Sequence, residues 1–118
     1  KDKLSKTGAE IHLFKGDTAE SLPEFEGKLP EMDLIFIDGG HSLETIANDW
    51  KYASKLMGKG SVLIFDDYWN ERTDAGAKVT VDSIDRGNFK VEIMPVVDSF
   101  EKTAFGRLVI QLARVTRI

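Results

Sequence analysis

The sequence predicts an α/β protein built on an open, mostly parallel sheet with a C-terminal antiparallel strand pair. Three observations carry that expectation. Two short apolar runs, residues 33–37 (D-L-I-F-I) and 61–65 (S-V-L-I-F), are rich in β-branched and aromatic residues and each stops at an acid. Between them, residues 43–57 place their apolar side chains at helical spacing. After them come two further apolar stretches, 89–97 and 107–115, joined by a polar loop over 98–106. Alternation of strands and helices favours a layered α/β arrangement, and consecutive strands across a short connection favour an antiparallel pair.

Taken in order, residues 1–10 are polar and are expected to be loose. Residues 11–14 are a short strand candidate, ended by Gly16 and Asp17. Residues 18–25 are a short helix candidate capped by Asp17 or Thr18, and 27–32 a connection. Residues 33–37 read as a strand buried on both faces, as in a parallel sheet. In residues 43–57, Leu43, Ile46, Ala47, Trp50, Ala53, Leu56 and Met57 form one apolar stripe. Ser42 is placed to cap that helix, Glu44 suits the positive end of its dipole, and Gly58 is a natural stop. Residues 61–65 are a second buried strand, 68–73 a polar loop, 74–86 a weaker helix stopped by Gly87. The resulting order is β-α-β-α-β-α-β-β. Right-handed crossovers then gather the C-terminal ends of the parallel strands on one edge, where open α/β sheets bind ligands.

The chain has 118 residues, 42% hydrophobic and 31% charged, with a net charge of −4 and no cysteine. That is the size of one domain, here residues 1–118. The acidic balance argues against an electrostatic grip on nucleic acid. Disulfides and thiolate metal sites are excluded, and no apolar run approaches the ~20 residues of a membrane span. With no targeting segment in view, a cytoplasmic location is expected.

Chemistry concentrates at that strand edge. Asp17, Asp38 and the pair Asp66 and Asp67 all fall there, with His41 three positions beyond Asp38. Carboxylates converging from different strands repel one another unless a cation lies between them. An all-oxygen donor set favours a hard ion such as magnesium, calcium or manganese. Each residue also has a plainer reading. Asp17 can cap the helix that follows it. Asp38 is set apart by Gly39 and Gly40, which let backbone approach a ligand closely. Asp66 and Asp67 are adjacent, so both can face one point only if the chain turns between them. His41 gains interest only from its place beside Asp38, and His12 is given no role. Tyr68 and Trp69, just after the acids, are candidates for an apolar substrate wall; Trp50 reads first as part of the helix stripe.

These same residues carry a family resemblance. I-F-I-D-G-G-H-S-L-E over 35–44, followed by G-K-G-S-V-L-I-F-D-D-Y over 58–68, resembles the metal-associated branch of class I S-adenosylmethionine-dependent methyltransferases. That branch carries IDGxHxYE after its fourth strand and DDY after its fifth. K-G-D-T-A-E-S-L-P over 15–23 is similar to its GDAxExLP stretch after strand three, and the tail from residue 76 is similar to that fold's ending.

The resemblance implies an incomplete Rossmann-like sheet, strands three to seven, forming the C-terminal portion of the domain. Asp17, Thr18 and Ala19 would lie by the adenine of S-adenosylmethionine, with Asp38 and Gly39 also on the cofactor side. Asp38, Asp66 and Asp67 would hold Mg2+ or another divalent cation. His41 would act as general base beside Asp38, on the hydroxyl of a small substrate lined by Tyr68 and Trp69. The family's Gly-rich loop after strand one and the ribose-binding acid after strand two have no counterpart in the chain. Either a second copy or a further N-terminal segment is therefore expected to complete the site. Two other readings stand beside this one: a methyltransferase-like structural or interaction module without activity, and a metal-dependent phosphatase or receiver-like α/β domain. The latter is weakened by the lack of an early D-x-D pattern.

Overall fold

The computed structural model describes residues 6–103 and 106–118. The chain forms helix α1 (Thr18–Phe25), strand β1 (Met32–Ile37), helix α2 (Leu43–Ala53), a 3-10 turn (Ser54–Leu56), strand β2 (Met57–Tyr68), helix α3 (Lys78–Asp82), and strands β3 (Phe89–Thr103) and β4 (Gly106–Arg117). The strands make one sheet in the order β1-β2-β4-β3. β1 and β2 are parallel, while β4 runs antiparallel to both β2 and β3. The expected α/β class, with an open sheet and an antiparallel C-terminal pair, is what forms.

The helices cover one face of this sheet. Ile37, Leu63, Phe65, Ala113 and Val115 point into a core closed by Ile46 and Ala53 of α2 and by Val81 of α3. Phe65, Leu63, Val81 and Val115 are the largest side chains shut fully away from water. Trp50 joins that core by packing on Phe65 and Phe89, with ring centroids 5.8 and 5.1 Å away. Its place on the α2 stripe is thus structural.

Several expectations need correction. Residues 11–14 are not a strand: they have no ladder partner, and Leu13 and Phe14 stay exposed. Phe14 instead packs on Phe25 of α1, centroids 4.5 Å apart. β1 is not buried on both faces. It is an edge strand whose Leu34 and Phe36 are 63% and 57% exposed, because no described element covers that side of the sheet. The expected helix over 43–57 stops at Ala53, and its last turn tightens into 3-10 geometry before Met57 starts β2. Gly58 is therefore a strand residue, and a Cβ there would collide with the Glu31 carboxylate. The second helix shrinks from 74–86 to Lys78–Asp82, since Gly76 at φ 82° breaks it. Residues 98–103 extend β3 rather than forming a loop, with register shifts that absorb the extra length. Residues 1–5 of the expected loose N-terminus, and residues 104–105 of the expected loop, lie outside the described residues.

Candidate functional site

β1 and β2 lie side by side in parallel, with Ile37 paired to Phe65. Asp38, just past β1, is thereby brought beside Asp66 and Asp67, in the last residues of β2. Asp38, Asp66 and Asp67 each offer a carboxylate oxygen within 4.8 Å of the others. Asp38 is exposed and the other two are half-buried, so the group opens to solvent on one side. The adjacency of Asp66 and Asp67 is resolved by the backbone. Asp67 sits at φ 59°, the single non-glycine residue with positive φ among those described. The chain turns there, and both carboxylates reach the same group.

Their partners differ. Asp66 accepts the Asp67 backbone N–H at 2.9 Å. Burial pushes its carboxyl above the ordinary carboxylate value, and the neighbouring Asp38 carboxyl pushes the same way. Like charges this close favour keeping one proton or admitting a cation. Asp67 places its Oδ2 at 2.8 Å from Nε2 of His41. The His41 ring meets Trp69 edge-on, centroids 5.0 Å apart. Its carbonyl accepts the Gly76 N–H at 2.8 Å, and the Asp67 carbonyl accepts the Ala77 N–H at 3.0 Å.

The other residues singled out from the sequence take these places. Asp17 is not in the acidic group; its Oδ1 caps α1 by accepting the Ala19 N–H at 2.8 Å. Thr18 and Gly39 line a cavity of about 360 Å³ together with Asp38, Leu22, Phe36 and Asp49. Gly39 and Gly40 are pressed against α2: a Cβ on Gly39 would lie 3.3 Å from Asp49 Oδ2, and one on Gly40 would lie 3.2 Å from Thr45. Tyr68 and Trp69 are both 5% exposed. The Tyr68 hydroxyl donates to Asp82 Oδ1 at 2.9 Å, and Arg72 stacks on Trp69 at 5.5 Å.

Two residues were missed by sequence reasoning. Asp49 is 5% exposed and its Oδ1 has no hydrogen-bond partner among the described residues. The signal was available, since Asp49 falls on the apolar stripe between Ile46 and Ala53, where an acid is out of place. Gly76 is the other. A Cβ there would lie 2.8 Å from the Asp67 carbonyl, a contact that only the folded loop creates.

Comparison with known proteins completes the picture. The family model for a methyltransferase domain matches residues 2–68. The chain belongs to the methyltransferase-domain family. An uncharacterised protein of Acanthamoeba polyphaga mimivirus is 32% identical over 62 residues, which is 52% of this chain and 28% of that protein. Among solved structures, a provisional rRNA methylase from Clostridium thermocellum superposes over 99% of this chain and 67% of its own, with TM-score 0.69 at 13% identity. An O-methyltransferase from Bacillus cereus in complex with SAH does so over 83% and 46%, with TM-score 0.53 at 19% identity. A provisional O-methyltransferase from Klebsiella pneumoniae covers 94% and 52%, with TM-score 0.56 at 19% identity. The chain thus shares their fold, and it spans just over a quarter of the length of the curated relative it matches. No described helix is long and apolar enough to cross a membrane.

Proposed function

We propose that this methyltransferase domain carries the acidic edge of an S-adenosylmethionine-dependent O-methyltransferase, working in the cytoplasm on a small hydroxylated molecule. The observation that carries the reading is the convergence of Asp38, Asp66 and Asp67 within 4.8 Å, with His41 held against Asp67. Support for the cofactor comes from the family and from the neighbour solved with SAH. The net charge of −4 favours a small substrate over RNA.

The oxygen donors fit a hard divalent cation such as Mg2+. An ion held by Asp38, Asp66 and Asp67 would supply Lewis acidity that makes a substrate hydroxyl easier to deprotonate. S-adenosylmethionine supplies the methyl group. The chain's own residues do the rest. Asp38 and Asp66 face each other across the strand ends and orient the hydroxyl, with Asp67 completing the cation's acidic surround. His41 accepts the hydroxyl proton. Trp69, beside His41, bounds the substrate side, while Tyr68 is taken up by the core and by Asp82; Thr18, Ala19, Asp38 and Gly39 face the cofactor, with Asp17 holding the α1 N-terminus in place. Because transfer of a methyl group needs little covalent help, alignment is the main contribution of these residues. The methionine and ribose parts of the cofactor are held by polypeptide beyond these residues, from a second copy or from a preceding segment that completes the domain's C-terminal portion seen here.

Titration with Mn2+ tests the acidic edge. The wild-type chain binds one ion, and Asp38→Asn or Asp66→Asn loses it. A wild-type chain that takes no Mn2+ contradicts the metal-assisted reading. The second reading is a methyltransferase-like module without activity. It predicts Asp38→Asn to be neutral in every binding and activity assay.

A further inference from the structure

Asp49 has no part in the acidic group. It sits on α2 between Ile46 and Ala53, both in the core, and is itself only 5% exposed. Its Oδ1 is shut away from water and has no hydrogen-bond partner among the described residues. A buried polar atom without a partner is costly, and folded proteins leave few of them. Asp49 also forms part of the wall of the cavity of about 360 Å³ beside α1, α2 and β1. Leu22, Ile35, Phe36 and Leu56 give that cavity apolar sides, and Thr18 and Gly39 bring backbone to it. An apolar cavity with a few convergent polar groups has the form of a small-molecule site. Two features hold the surroundings of the carboxylate in place. The Asn48 side-chain amide donates to the Thr18 carbonyl at 3.3 Å, tying α2 to the start of α1. Gly39 leaves room beside it, since a Cβ there would lie 3.3 Å from Asp49 Oδ2. Asp17, next to Thr18 in the chain, already has its Oδ1 engaged by the Ala19 N–H.

We infer that Asp49 is a binding residue that selects the occupant of this cavity, accepting an N–H from an amino-substituted heteroaromatic ring of the aminopurine class. The ring meets the apolar side chains, and its amine gives the buried oxygen the partner it lacks. An ionised carboxylate is acceptor-only, so Asp49 favours rings that present a donor over rings of the same shape that present none. This rests on the methyltransferase reading, whose cofactor carries an aminopurine, and adds to it. Selection of the ring belongs to an acid on α2, apart from Asp38, Asp66 and Asp67 and apart from the cap of α1.

The test is 1H–15N correlation NMR of the whole chain in metal-free buffer with two nucleosides, adenosine and purine riboside, which differ only in the exocyclic amine. At millimolar concentration each occupies this wall weakly, well short of the affinity that calorimetry registers. In the wild-type chain adenosine is expected to shift the amides of Thr18, Phe36 and Gly39, and to bind roughly tenfold or more tightly than purine riboside. Asp49→Ala removes the acceptor and leaves the cavity open, so the two nucleosides bind equally. Asp49→Asn keeps an acceptor oxygen and retains part of the preference. The wild-type comparison decides the matter even where a variant fails to fold. Absence of adenosine-induced shifts at these amides overturns the inference, and a cavity that takes polypeptide instead of a ring gives that result. Equal binding of the two nucleosides to the wild-type chain also overturns it, as does a preference that survives in Asp49→Ala. The acidic edge is judged separately by Mn2+: a chain that takes Mn2+ without preferring adenosine keeps the metal-assisted reading and loses the role of Asp49, and the opposite pair of results does the reverse.

Discussion

At the scale of single residues, the chain spends its polar groups on fixing turns beside the acidic edge. Tyr68 shows how. Its ring is in the core and its hydroxyl reaches Asp82, which also accepts from Lys78 at 2.6 Å. Burial opposes the charge on Asp82, but the hydrogen bonds from Lys78 and Tyr68 outweigh it and hold its carboxyl below the ordinary 3.8. The sign follows from linkage. A depressed folded-state pKa gives stability that is complete above the unfolded value and is lost as pH falls through the folded one. Asp82→Ala is therefore expected to lower the melting temperature at neutral pH, with the gap to wild type closing below about pH 4. A gap that persists unchanged in acid would show that the loss is packing rather than charge. Gly76 gives a second prediction. Gly76→Ala strains a left-handed backbone and presses a methyl group on the Asp67 carbonyl, so denaturant unfolding should show a loss of more than about 1 kcal/mol.

The residue types of the edge were legible in the sequence, because each acid sits just past an apolar run. Their geometry was not. That Asp67 reaches His41 and still joins Asp38 and Asp66 goes with a positive φ that sequence spacing does not encode. Asp17 was legible as a cap, and it is one.

At the scale of elements, strong periodicity and capping chemistry were reliable. α1 occupies Thr18–Phe25, and α2 starts at Leu43 behind Ser42, whose Oγ accepts the Thr45 N–H at 3.1 Å. Ser42→Ala should cost about 1 kcal/mol in chemical denaturation. Ser61 ties strand to strand: its hydroxyl donates to the Met32 carbonyl at 2.7 Å and accepts the Gly58 N–H at 2.9 Å. Elements failed where local pattern was overruled by their neighbours. Residues 11–14 have strand-like composition but no strand beside them. The segment 74–77 has helical composition, yet its N–H groups are drawn to His41 and Asp67. In both cases the hydrogen-bonding partners available in space decided the outcome.

At the scale of the whole molecule, the sheet is covered on one face only among the described residues. Leu34 and Phe36 of the edge strand β1 lie on the open side, and their register partners Val62 and Ile64 on β2 are only half-buried. A free edge with exposed apolar side chains invites pairing with other chains. Leu34→Lys combined with Phe36→Lys should suppress self-association in light scattering, while moving unfolding free energy by about 0.5 kcal/mol or less per site. The apolar run of β1 had suggested burial on both faces; the strand forms, but no described element covers its second face.

The central claim is that these residues form one side of a methyltransferase site whose cofactor is gripped from both sides. Isothermal titration of S-adenosylhomocysteine into the chain, with and without Mg2+ and with the oligomeric state recorded, tests it most directly. The account predicts no binding by the monomer in either condition, and binding only by an assembly or a longer chain that brings the second side. Tight one-to-one binding to a monomer of these 118 residues would contradict it.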